Sequence, residues 1–217
     1  MKIGLLSDTH GVFDEELCRL FSKNAVELLL HSGDVGNHGG HQDIIKLYKS
    51  IAPVEAVQGN VDEDTTEEEL PTTKFLVIEG WRILVIHILP KIDLPEWKAV
   101  LSEYRPDIVL HGHSHKYSVV ESGDICYCNP GSAGPARFQL PRTAAILHLQ
   151  PKETGEGPVV ERIELKRKAP PRIPQARGTV QARRSRAHER KSPLAKPPCP
   201  ARNARDSRQL AVRHGSV

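Results

Sequence analysis

Short apolar runs alternate with polar turns along most of the chain. Residues 2–6 form an apolar run that ends in Ser7-Asp8-Thr9-His10. A run of this length bounded by turn residues reads as a buried strand. Residues 14–22 place Leu17, Leu20 and Phe21 at helical spacing, and residues 43–51 repeat that periodicity. Residues 26–30 and 54–57 are further strands, ending in His31-Ser32-Gly33-Asp34 and Gln58-Gly59-Asn60. Up to this point the order is β-α-β-α-β, which favours a parallel sheet with right-handed crossovers.

The middle of the chain changes character. Runs 75–78 and 82–86 flank Glu79-Gly80-Trp81 as a hairpin, and 117–120 with 125–128 flank a second one. Residues 95–104 predict a helix with Pro95 at its first position. Residues 108–110 form a short strand ending in His111-Gly112-His113-Ser114-His115, and 143–149 with 159–165 read as closing strands. The pattern predicts a mixed αβ (α+β) domain over 1–165.

Charge separates that domain from the rest of the chain. All 217 residues together have a formal net charge of +3, but residues 1–165 carry −10 and residues 166–217 carry +13. The second segment is rich in Arg, Pro and Ala and has no Phe, Tyr or Trp. It cannot bury enough apolar surface to offset the entropy of ordering it, so a disordered basic tail is expected over 166–217. The low apolar share of 38%, against about 45–50% in globular chains, belongs mainly to that tail. No apolar run approaches the roughly 20 residues of a membrane span. The opening residues do not read as a secretory signal, and four Cys do not make a disulfide framework, so a reducing, cytoplasmic setting is expected. Cys126 and Cys128 point to one face of a strand and are expected to pack there.

The chemistry gathers at the strand exits. Asp8 and His10, Asp34, Asn60, His87, then His113 with His115 recur at intervals of 24–27 residues. One strand–connection–strand unit has about that length, so each group returns to the same sheet edge, where open α/β sheets bind ligands. Two carboxylates, four imidazoles and one amide oxygen suit borderline divalent metals rather than an all-oxygen calcium cage. Seven donors exceed one tetrahedral ion and fit two ions sharing a carboxylate, the usual device for displacement at phosphorus. His31, His38, His41 and His111 fall outside the spacing and are expected to be surface or supporting residues. The acidic stretch 62–69 reads as a solvated loop.

Asp8-Thr9-His10, Gly33-Asp34, Gly59-Asn60-Val61-Asp62, His87 and Gly112-His113-Ser114-His115 together resemble the motif series of calcineurin-like metallophosphoesterases. The nearest branch is the small phosphodiesterases of the YfcE/MJ0936 type, and Asn129-Pro130-Gly131-Ser132 also resembles a turn of that branch. The resemblance covers about residues 1–165. It implies a four-layer αββα sandwich and a phosphodiesterase that uses two divalent metal ions, manganese foremost, with iron, cobalt, nickel or zinc as alternatives. It further implies that Asp8, His10, Asp34 and His115 hold the first metal. Asp34, Asn60, His87 and His113 would hold the second, with a bridging hydroxide attacking a small phosphate ester.

Two positions depart from the family pattern. Many relatives carry His where this chain has Val61, and that His is thought to protonate the leaving group; the small phosphodiesterases lack it too. No protein general acid is therefore assigned. Ile88 stands where Gly often follows His87, which makes His87 the least secure of the seven. Two other functions compete. One is a non-catalytic scaffold of the retromer-subunit type, which shares the fold but alters some of these positions. The other is a nuclease whose tail, through Arg183-Arg184-Ser185-Arg186, grips nucleic acid. Without aromatic residues or a fold in the tail, nucleic-acid contact is not favoured.

Overall fold

The structure is a computed structural model that describes residues 1–62, 65–137 and 139–174. Its elements follow the apolar runs. Strand β1 (Lys2–Leu6) is followed by helix α1 (Glu15–Lys23), β2 (Leu28–His31), α2 (His41–Tyr48) and β3 (Val54–Ala56). The hairpin β4 (Thr73–Ile78) and β5 (Trp81–Ile86) leads to α3 (Pro95–Tyr104) and β6 (Ile108–Leu110). A second hairpin, β7 (Ser118–Ser122) and β8 (Ile125–Asn129), precedes β9 (Arg142–His148) and β10 (Val159–Leu165). Helix α1 begins where Asp14 accepts hydrogen bonds from the Glu16 and Leu17 amides. Helix α3 begins at Pro95, which has no N–H to leave unsatisfied.

Two five-stranded mixed sheets result, ordered β10-β9-β1-β2-β3 and β4-β5-β6-β8-β7. In the first, β1, β2 and β3 run parallel while β9 and β10 are antiparallel. In the second, β5, β6 and β8 are parallel and the outer strands antiparallel. Ile3, Leu5 and Leu147 of the first sheet pack against Ile83, Val85 and Leu110 of the second, so the central core lies between the sheets. The outer face of the first sheet packs on α1 and α2 through Leu17, Phe21, Ile44 and Tyr48. The outer face of the second packs on α3 through Trp97. The layering is αββα, as the resemblance implies. Cys126 and Cys128 sit in the inter-sheet core, unpaired, where burial raises both thiol pKa values. Among the described residues no helix is long and apolar enough to cross a membrane.

The expected boundary at 165 falls inside the described chain. Residues 166–174 turn back across the first sheet's helical side. Arg172 pairs with Val12, the Ile173 amide donates to Gly11 O at 2.9 Å, and the Ile173 side chain packs on the α1–α2 core. Composition hid this strap because one isoleucine in a basic, proline-rich stretch carries the contact. The rest of the expected tail, 175–217, including Arg183 to Arg186, lies outside the described residues.

Candidate metal centre

The five parallel strand ends that point the same way deliver all seven residues to one edge. Asp8 and His10 follow β1, Asp34 follows β2, and Asn60 follows β3. His87 caps β5, and His113 and His115 follow β6. The loops after β1 and β2 run side by side, with Asp8 N donating to Gly33 O at 3.0 Å and His10 N to Asp34 O at 2.9 Å. The two sheets are stitched together at the site itself. His87 Nδ1 donates to Ser32 O at 2.7 Å, and His113 N donates to Asp8 Oδ2 at 3.1 Å.

The donor atoms fall into two groups that touch. Those of Asp8, His10 and His115 lie within 4.8 Å of one another, as do those of Asp8, Asp34 and His87. His10 and His115 stack at 5.1 Å and bring their Nε2 atoms to 3.2 Å. Asp34 faces both ways: Oδ2 is 3.7 Å from His10 Nε2 and Oδ1 is 3.4 Å from His87 Nε2. Asn60 Oδ1 lies 3.1 Å from His87 Nε2 and 3.0 Å from His113 Nδ1. Asp8, His10, Asp34, His87 and His115 are buried, whereas Asn60 and His113 are exposed at the mouth. Ile88 turns its side chain outward, 46% exposed, and His87 is held in place by Ser32.

This donor set fits divalent cations. His87 Nδ1 gives its proton to the Ser32 carbonyl, which leaves Nε2 facing Asn60 Oδ1 and Asp34 Oδ1, a junction of three donor atoms that either a proton on Nε2 or a divalent cation satisfies. Asp8 Oδ1 is fully buried, with no hydrogen bond of its own and His115 Nε2 3.2 Å away. Burial alone would raise the Asp34 carboxyl pKa. The His87 hydrogen bond and charge, with the Val61 amide, outweigh that and hold it well below the usual carboxylate range. Asp8 is lowered too, its burial opposed by His115, His87 and the Ser7 hydroxyl. Burial depresses His10 to about 4 despite the nearby Asp34 charge, keeping its imidazole neutral at pH 7.

Five of the seven residues hold left-handed backbone: Asp8, His10, Asp34, His113 and His115 have φ between 49° and 68°. Non-glycine residues rarely adopt it, and when they do the surrounding structure must over-determine them. Close packing of the loops does so. A Cβ on Gly59 would stand 2.0 Å from Asp34 N, and one on Gly112 would stand 1.9 Å from Ser7 Oγ.

Several supporting residues escaped the sequence pattern. Asp62 is buried, contrary to the solvated loop expected over 62–69. Its carboxylate accepts from the amides of Val35, Gly36 and Gly59, tying the loop after β2 to the loop after β3. Asn129 Nδ2 donates to Gly112 O and Ser114 Oγ and bonds His111 Nδ1, holding the His113–His115 loop from behind. His31 Nε2 bonds Thr9 Oγ1 at 2.9 Å beneath the first loop, so His31 and His111 support the site, as expected of residues outside the spacing. His41, the first residue of α2, is buried rather than at the surface. Arg142, fully buried, pairs with Asp14 at 2.8 Å and caps the carbonyls of Ala133 and Gly134. Arg137, not singled out by any motif, donates from Nη2 to His10 Nε2 at 3.1 Å.

The same layered architecture is found in Vps29 of Entamoeba histolytica complexed with Zn2+. That structure is similar at a TM-score of 0.55 and 22% identity, over 76% of this chain and 99% of that one. A protein named probable metallophosphoesterase from Methanothermobacter thermautotrophicus is 33% identical over 158 residues, 67% of this chain and 85% of its own length. Phosphodiesterase YfcE of Escherichia coli K12 is 28% identical over 164 residues, 68% of this chain and 87% of its own. The model of the calcineurin-like phosphoesterase superfamily domain matches residues 1–152, which include every one of the seven converging residues. By that match and the archaeal relative, the chain belongs to the calcineurin-like phosphoesterase superfamily.

Proposed function

We propose that the protein is a dinuclear-metal phosphodiesterase that hydrolyses a small phosphate ester. The observation that carries this reading is the convergence of five buried metal-compatible donors, with Asn60 and His113 beside them at the mouth and Asp8 Oδ1 left without a hydrogen bond. Asp8, His10, Asp34 and His115 would hold one cation, and Asp34, Asn60, His87 and His113 the other. The cations would supply Lewis acidity to the phosphoryl oxygens and to an attacking water, manganese being the first choice and iron, cobalt, nickel or zinc the alternatives. The chain's own residues set the stage for that chemistry. Ser32 O holds the His87 tautomer, and Ser7 and the His113 amide orient Asp8. Val61 offers no proton to a leaving group, so esters with good leaving groups react faster than alkyl esters. The naming of the bacterial relative as a phosphodiesterase supports a diester substrate. The likeness to Vps29 is one of fold alone, and the full donor set favours hydrolysis over a scaffold role.

The test uses the purified full chain. Metal content is measured, and hydrolysis of a bis-aryl phosphate is assayed with added manganese. Activity is expected to vanish with a chelator and to fall at least about 100-fold in Asp34→Asn, which removes the charge shared by both groups. A protein that binds no transition metal and stays inert with manganese, cobalt and nickel refutes the reading.

A further inference from the structure

We propose that Arg137 grips the phosphoryl group of the substrate, an inference that rests on the metallophosphoesterase reading. Its Nη2 lies 3.1 Å from His10 Nε2, so the guanidinium reaches the donor cluster from the side of His10, away from Asn60 and His113. The residue is exposed at the mouth, and among the described residues it makes no ion pair with a carboxylate. A cation placed beside imidazoles, with no anionic partner among the described residues, is poised for an anion that arrives from outside. The planar guanidinium carries five N–H donors in a fork that matches phosphate oxygens.

The loop that carries it is built to hold position. At its start, Ala133 N and Gly134 N donate to Ser7 O and Asp8 O, both at 3.1 Å, and Ser132 Oγ donates to Asp8 O at 2.9 Å. At its end, buried Arg142 bonds back to Ala133 O and Gly134 O and is locked to Asp14. Gly134 and Arg142 are thus tied to one another, Gly134 is tied to the backbone of Asp8, and Arg137 extends to His10. The guanidinium stabilises phosphoryl charge without replacing the leaving-group acid that Val61 omits. Its contribution is expected to be the same for good and poor leaving groups.

The experiment compares the full-length wild type with Arg137→Gln and Arg137→Lys. Three quantities are read: bound metal, affinity of the metal-loaded protein for inorganic phosphate by calorimetry, and kcat/KM on bis-aryl phosphates of differing leaving groups. In Arg137→Gln, metal content and melting temperature should match wild type. Phosphate affinity and kcat/KM should fall about 10–100-fold, the range for a charge-assisted bond, with the leaving-group dependence unaltered. Arg137→Lys, which keeps the charge but not the fork, should fall between the two. Phosphate affinity within twofold of wild type in Arg137→Gln overturns the proposal. So does a loss of bound metal in that variant, which would make Arg137 part of the metal shell. A wild type that binds no metal removes the parent reading and this one with it; a wild type that binds metal isolates the failure to Arg137.

Discussion

Individual histidines around the site differ in what surrounds them, and this sets the acid limit of the fold. Burial depresses His111 to about 4, and burial lowers His31 against the opposing charges of Asp62 and Asp8. Both are therefore neutral when folded and charged when unfolded over an interval below the ordinary value near 6.5. A folded-state pKa below the unfolded one means that unfolding takes up protons there. The stability these groups contribute is complete above about 6.5 and is lost as pH falls toward 4. Asp34 acts in the same direction at lower pH, since its depressed carboxyl withdraws its stabilisation only on further acidification. Urea denaturation of chelator-treated protein at pH 7.5, 6 and 5 is expected to give a falling midpoint, with most of the loss between 6.5 and 4.5. In His111→Asn that fall should be shallower. A midpoint constant across the interval would refute the assignment.

At the scale of elements, the site is a set of loops pressed together at the ends of parallel strands, and the loops need glycine where they cross. Gly59 shows the requirement. Its Cβ would meet Asp34 N at 2.0 Å and Asp34 Oδ1 at 2.2 Å, so Gly59→Ala must push one loop off the other. Overpacking of this kind costs roughly 1–3 kcal/mol, or about 3–10 °C in melting temperature for a domain this size. Bound metal is expected to drop as well, because Asp34 moves; an unchanged melting temperature and metal content would show the contact to be soft. The strands and the convergence of the seven residues on one edge were legible in the sequence because period-two and period-3.6 apolar patterns and the 24–27 residue recurrence are local signals. Asp62, Arg137 and Arg142 were not legible. A carboxylate in an acidic run looks solvated until three amides from two other loops close on it. Arg142 at a strand start looks exposed until Asp14, 128 positions away, meets it. Such pairings depend on which loops the topology brings together, and no periodicity encodes that.

Across the whole molecule, the chain closes on itself beyond the last strand. The strap over 166–174 returns to the segment after His10, and Lys166 O accepts from Arg142 Nη1 at 2.8 Å. A truncation after 165 therefore strips Ile173 from the core and leaves a buried guanidinium short of an acceptor, whereas a truncation after 174 removes neither contact. The shorter form is expected to melt about 5–10 °C lower and to hydrolyse the ester more slowly. The form ending at 174 should match the full chain in melting temperature. Calorimetry on the three lengths checks this, and equal melting temperatures would show the strap to be dispensable. Charge divides along nearly the same line: residues 1–165 are acidic, and most of the +13 lies beyond the strap. Salt dependence in ester hydrolysis should thus reflect the acidic domain rather than the net charge of the chain.

The left-handed backbone at Asp8, His10, Asp34, His113 and His115 has a consequence for descent. Each such residue costs the fold of order 1 kcal/mol that a glycine there would avoid. On the metallophosphoesterase reading proposed above, the reaction itself is the counterweight that would keep aspartate and histidine at these places. A lineage released from selection for that reaction gains stability by drifting to glycine or asparagine at these positions while keeping every strand. Loss of ligands without loss of fold is therefore the downhill path for this architecture, and laboratory evolution for thermal stability alone is expected to erode these five positions first.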